Sequence, residues 1–257
     1  MKNLFHRLTN FLRVAGPLAI VVLVGIGCSS TESVQVPKSA EDVFKEGMSA
    51  FNDGNWMEAQ SKFDIIKLQF PASPFADDAQ FHLAEINYKR GEYILAAFNY
   101  ALVRRTFPSS EYAKEALLKS ADCYFELAPP PDRDQEYTRK AIQAYGEFQT
   151  VYPQDSLALI ALKRIVELRG RLARKQLDAA EHYVRTLSYR AAIVYYDAVI
   201  EEFADTDVYE DAVIGKLDVL LLQKKYDDAR ATVAAYRRTV RDSRRASEIE
   251  QRASQIP

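Results

Sequence analysis

The 257-residue chain carries 34 basic and 36 acidic side chains, with 48% hydrophobic and 27% charged residues; this excludes both a disordered tail and a polytopic membrane protein. Nine glycines against 15 Tyr, 13 Phe and one Trp disfavour collagen-like, glycine-looped nucleotide-binding and low-complexity classes. Two cysteines, Cys28 and Cys123, cannot build a disulfide framework, and His6, His82 and His182 are too scattered for a Cys/His zinc cluster. No metal or cofactor is expected, and the near-neutral charge gives no basic stripe for nucleic acid.

Residues 1–13 hold Lys2, Arg7 and Arg13 with no acid, and an apolar run from Ala15 to Ile26 follows. That order is a secretory signal. The run is interrupted by Pro17 and Gly25 and falls short of the ~20 apolar residues a spanning helix needs. It ends Gly25-Ile26-Gly27-Cys28, which resembles the bacterial lipobox, although Gly25 stands where Leu is usual. The resemblance implies cleavage after residue 27 and lipid attachment at Cys28. Removing residues 1–27 leaves 31 basic and 36 acidic side chains, a mildly acidic mature chain. Residues 28–39 lack periodic apolar positions and are expected to be a tether.

From residue 40 a 37-residue period organises the chain. Gly54-Asn55-Trp56-Met57-Glu58-Ala59, followed by Phe63 and Pro71, recurs as Gly91-Glu92-Tyr93-Ile94-Leu95-Ala96, followed by Tyr100 and Pro108. Weaker copies hold Leu187, Tyr189, Ala192 and Tyr196, then Lys224, Tyr226, Ala229 and Val233; another keeps Ala141, Tyr145 and Pro153. The junctions end at Ser73, Ser110, Asp155 and Thr206, residue types that favour N-caps, with Pro74 as a first-turn proline. Helix, turn, helix is the expected unit. The pattern resembles the tetratricopeptide repeat, in which Ala59, Ala96, Ala141, Ala192 and Ala229 would let the second helix of a unit approach the first. The expected fold is all-α, a tetratricopeptide-repeat solenoid of five helix-turn-helix units. Residues 40–155 form an N-terminal half of units one to three. Residues 156–245 form a C-terminal half of units four and five, and 246–257 a tail.

Two irregularities interrupt the period. Leu127 to Gln135, with Pro129, Pro130 and Pro131 in succession, must be a loop. After Asp155 the helical pattern runs about four extra turns, predicting one long helix from about Ser156 to Thr186, weakened at Gly170.

No phosphate loop, Ser/His/Asp set, Cys/His pair or H-E-x-x-H motif stands out, so no catalytic residue is assigned. His82 and His182 are expected to be ordinary helix-face residues and Cys123 a buried, inert thiol. The arginines at 237, 238, 241, 244 and 245 read as a solvated helix end, with contact to a partner or anionic lipid as the other option. The inner helices place Phe44, Met48, Phe51, Phe81, Tyr88 and Phe125 towards the concave face, with Phe51, Tyr88 and Phe125 spaced by 37. That stripe is either a binding groove or repeat-to-repeat packing. Tyr195, taken as exposed beside a core Tyr196, is the candidate partner contact in the C-terminal half.

The lipobox, tether, five units, F-P-x-S junctions, the insertion at Asp132 to Gln135 and the long fourth-unit helix together resemble the BamD family of outer-membrane β-barrel assembly lipoproteins. The resemblance implies a lipid-anchored outer-membrane protein facing the periplasm. Its C-terminal half would bind the barrel-inserting subunit, and its N-terminal half unfolded β-barrel substrates. The alternative is another periplasmic repeat scaffold serving cell-envelope or peptidoglycan machinery. A lytic transglycosylase would need a separate catalytic domain, and no residues remain to build one.

Overall fold

The computed structural model describes residues 38–239 and 244–257. The leader, the lipid-attachment Cys28 and most of the tether therefore lie outside the described residues, as does Arg241. Among the described residues the chain forms helices and no strands. Unit one is α1 (Ala40–Asn52) with α2 (Trp56–Gln69), unit two α3 (Ala76–Lys89) with α4 (Tyr93–Thr106), and unit three α5 (Ala113–Leu127) with α6 (Glu136–Val151). Unit four is α7 (Leu157–Arg185) with α8 (Tyr189–Glu202), unit five α9 (Tyr209–Leu222) with α10 (Tyr226–Thr239), and α11 (Ala246–Ala253) follows. The chain is the expected all-α tetratricopeptide-repeat solenoid.

Local chemistry starts and stops these helices. Ser39 and Asp42 form a reciprocal capping box at α1, and Asn55 Oδ1 accepts from the Glu58 N–H at α2. Each first helix of units one, two, four and five ends in the same motif. The amides of Asn55, Glu92, Ser188 and Lys225 donate to carbonyls five residues back at 2.8–2.9 Å, and those of Gly54, Gly91, Leu187 and Lys224 to carbonyls three back. This double closure requires a left-handed residue. Gly54 and Gly91 supply it at φ 75° and 74°, whereas Leu187 and Lys224 adopt φ 58° and 56° with full side chains.

The junction residues behave differently from expectation. Ser73, Ser110, Asp155 and Thr206 do not cap α3, α5, α7 and α9, whose N-cap positions are Phe75, Tyr112, Ser156 and Val208, none with a side-chain cap bond. Each instead closes a turn, its N–H donating to the carbonyl three residues back at 3.0–3.1 Å. The helix begins two or three residues later because that turn takes up Pro74 and its counterparts first. Ser110 and Asp155 then accept from the N–H two residues on, and Thr206 Oγ1 donates back to the Phe203 carbonyl.

The five repeated alanines, Ala59, Ala96, Ala141, Ala192 and Ala229, are fully buried, and so are Ala79, Ala116, Ala161 and Ala212 on the helices that follow. Each core joins both helices of a unit to the first helix of the next: Phe63 and Ile66 pack with Ala79, Leu83 and Ile86, and Tyr145 and Phe148 with Ala161 and Leu168. The 29-residue α7 serves two cores. Ala158, Ala161 and Leu168 face unit three, while Ala173, Leu177 and Ala180 face α8. The two irregularities of the sequence meet here. Arg171 of α7 donates to the Ala128 carbonyl at 3.0 Å and Lys175 to the Arg133 carbonyl, so the extra turns of α7 brace the proline loop. Inside that loop Gln135 is buried, donating to the Pro130 carbonyl and accepting from Thr138 Oγ1. Residues 246–257 are not a loose tail. Ile249 of α11 is fully buried against α9 and α10, and Arg252 grips Asp218 at 2.6 and 3.0 Å, covering the last repeat's apolar face.

Candidate functional site

The aromatic stripe on the inner helices pairs by the same period that generates it. Phe44 stacks on Phe75 at 5.0 Å and 22°, and Phe81 stacks on Tyr112 at 4.5 Å and 23°. Phe51 meets Trp56 edge-on at 5.3 Å and 69°, and Tyr88 meets Tyr93 at 5.3 Å and 68°. The first pairing ties one repeat to the next; the second staples the hairpin inside a repeat. Phe44, Met48, Phe51, Tyr88 and Phe125 keep part of their surface open, but Phe81 is only 4% exposed and packs on Tyr100 and Tyr112. Phe81 thus backs this face instead of lining it.

Charged side chains lie over two rings of the stripe and over Trp56. Lys89 Nζ lies 6.0 Å from the Phe51 centroid and 5.8 Å from that of Trp56. The guanidiniums of Arg164 and Arg171 lie 4.1 and 5.0 Å from the Phe125 ring. A ligand reaching Phe125 must displace two cations held by the ring quadrupole.

His82, an ordinary helix-face residue by sequence, stands among five aromatic rings: Phe51 at 5.0 Å, Phe63 at 5.5 Å, Phe81 at 5.8 Å, and Phe44 and Tyr112 at 6.3 Å. Its Nδ1 is buried without a hydrogen-bond partner among the described residues, and burial holds the imidazole below its ordinary pKa. The 37-residue spacing of Phe75 and Tyr112 was the available signal for this cluster, since both flank the visible Phe44 and Phe81 pair.

Half-buried carboxylates support the tyrosines behind this face. Tyr145 Oη donates to Asp122 Oδ1 at 2.5 Å, Tyr112 Oη to Asp78 at 2.9 Å, and Tyr100 Oη to Glu85. Burial raises the Asp122 pKa against the opposing Tyr145 hydrogen bond, and Tyr88 and Tyr112 are pushed up to about 12 by burial. Cys123 is fully buried and its thiol is pushed up to about 12 by desolvation, the chemistry of an inert thiol. No group of three His, Cys, Asp or Glu residues able to hold a metal ion occurs among the described residues. Such a face can hold apolar and aromatic side chains non-covalently.

In the C-terminal half Tyr195 is half-buried rather than exposed, because it stacks on Tyr183 at 5.3 Å and 16°. Tyr196 is core, as expected. Of the arginine-rich end, Arg237 pairs with Glu250, and Arg245 with Asp211 and Glu248, fastening α11 to the last unit. No helix among the described residues is long and apolar enough to cross a membrane.

The outer membrane lipoprotein family YfiO matches residues 37–241. Outer membrane protein assembly factor BamD of Caulobacter vibrioides is 25% identical over 208 residues, covering 79% of this chain and 68% of that one. BamD of Neisseria meningitidis serogroup B is 27% identical over 185 residues, 68% of this chain and 69% of the relative. BamD of Vibrio cholerae is 25% identical over 204 residues, 76% and 84%. Among solved structures, a tetratricopeptide repeat protein from Parabacteroides merdae aligns with a TM-score of 0.39 at 15% identity, over 84% of this chain and 85% of that one.

Proposed function

Since this chain belongs to the YfiO family of outer membrane lipoproteins, we propose that it acts in outer-membrane protein assembly as a non-enzymatic scaffold, held at the outer membrane by lipid on Cys28 and facing the periplasm. Its similarity to the BamD assembly factors along most of its length carries the assignment. A rigid repeat solenoid suits a scaffold, and two or three acyl chains hold a protein at a membrane where one does so only marginally. The C-terminal half, with Tyr195, binds the barrel-inserting subunit. The half-open face of Phe44, Met48, Phe51 and Tyr88 holds the alternating aromatic side chains of an unfolded barrel's strand before that strand pairs. Affinity purification from native membranes tests the assignment: an outer-membrane barrel with periplasmic repeats should co-purify. Recovery of peptidoglycan-synthesis proteins in its place would shift the chain to the alternative envelope scaffold.

A further inference from the structure

The hairpin turns of units four and five form an edge that the repeat template does not explain. Where units one and two place Gly54 and Gly91 in the left-handed conformation, this edge places Leu187 and Lys224, whose side chains make that conformation costly. Leu187 is 71% exposed, so no core packing compensates, and Val194 and Leu222 are 62% and 64% exposed. Strain and exposed apolar surface at one place point to a contact. A shallow, open depression of about 620 Å³ beside the first turn is lined by Leu187, Tyr189, Arg190 and Val194 and, from the second turn, by Gln223. Gln223 Oε1 is buried without a hydrogen-bond partner among the described residues, an arrangement relieved if the carboxamide turns outward to a donor.

The charge of this edge selects the occupant. Arg190, Lys224 and Lys225 are exposed, and none of the three cations has an ion-pair partner among the described residues; the neighbouring acids, Asp227 and Asp228, open α10, and Asp227 is taken by Arg230. We propose that this edge docks an extended segment of a partner polypeptide in which an apolar side chain is flanked by Asp or Glu. The apolar side chain enters between Leu187 and Val194, the flanking carboxylates meet Arg190, Lys224 and Lys225, and a main-chain N–H reaches Gln223. The unpartnered Gln223 carboxamide in the lining gives a main-chain amide a specific polar contact beside the apolar Leu187 and Val194.

The test places the photo-cross-linking residue p-benzoylphenylalanine at Val194 of the full chain in its own cells, and at Ser61, which occupies the corresponding place in unit one, as control. The expected result is a polypeptide adduct at 194 and not at 61, mapped by mass spectrometry to an apolar residue flanked by acids. Lys224→Glu with Lys225→Glu should lower its yield at least fivefold while the helical melting curve is unchanged, and lysines in place of the mapped acids should restore it. No adduct at 194, an adduct to lipid alone, a mapped segment without acids, or a yield indifferent to charge reversal would each overturn the proposal. Cross-linking at 194 scores this edge, whereas co-purification scores the assembly assigned above, so the two can fail separately.

Discussion

Two glycines inside helices should respond in opposite directions to one methyl group. In a helix interior Ala is favoured over Gly by about 0.8–1 kcal/mol, so each Gly→Ala change starts from a gain of that size. At Gly170 in α7 the nearest atom to the new Cβ is Asp207 Oδ1 at 3.6 Å, an ordinary contact, and the gain should survive. At Gly47 in α1 the Cβ would stand 2.8 Å from Phe63 Cε1 and 3.1 Å from both Phe63 Cδ1 and Lys62 Cβ, well inside the ~3.5–4.0 Å optimum between carbons. Phe63 is fully buried and flanked by the rings of Phe44 and His82 at 5.9 and 5.5 Å, so it has no room to swing away. Overpacking of this kind costs about 1–3 kcal/mol, leaving Gly47→Ala up to about 2 kcal/mol destabilised and separated from Gly170→Ala by about 1–3 kcal/mol. For a chain of this size each kcal/mol moves Tm by about 2–4 °C. Circular dichroism follows the whole solenoid. The single tryptophan, Trp56, lies in unit one against Phe51 and reports that unit's melting by fluorescence. Equal Tm shifts of the same sign in the two variants would refute the close approach of α1 to α2.

Three further outcomes follow from single features. Lys224→Gly should stabilise the fold by about 1 kcal/mol in urea titrations, because glycine enters the left-handed region without the clash a side chain meets; a loss of stability would mean the lysine side chain contributes to the turn. His82 stays neutral longer in the folded chain than in the unfolded one, since burial lowers its pKa from 6.5 and outweighs Asp78 and Glu85. The unfolded chain therefore takes up the proton first as pH falls. The contribution of this group is complete above about 6.5 and is lost progressively below it, and denaturation between pH 7 and 5.5 should show His82→Phe with a flatter pH dependence than the parent. Cys28→Ala should abolish lipid attachment, leaving an uncleaved precursor or a periplasmic protein released without detergent; mass spectrometry of the mature N-terminus decides, and an unmodified start elsewhere in the parent would remove the anchor.

The repeat was legible in the chain because burial is periodic. Small residues recurring at Ala59, Ala96, Ala141, Ala192 and Ala229 mark where one helix must approach another, and a missed turn signal after Asp155 leaves a continuous helix as the simplest outcome. Such one-dimensional signals say which face of a helix is covered without saying by what. The partner of Phe44 is Phe75, 31 residues away, and the rings around His82 come from three different helices and a junction; both depend on the angle at which one repeat is laid on the next. Within unit four the packing of α8 on α7 stacks Tyr195 on Tyr183, and the rotation between repeats carries Arg164 and Arg171 over Phe125, closing surfaces that spacing alone leaves open. It also brings the turns of Leu187 and Lys224 to one edge, although 37 residues separate them. Period and side-chain size are properties of the chain, so they determined the all-α repeat; contacts between repeats arise only when the units stack, so the tertiary structure decided which aromatics remain open and which cations stand unpaired.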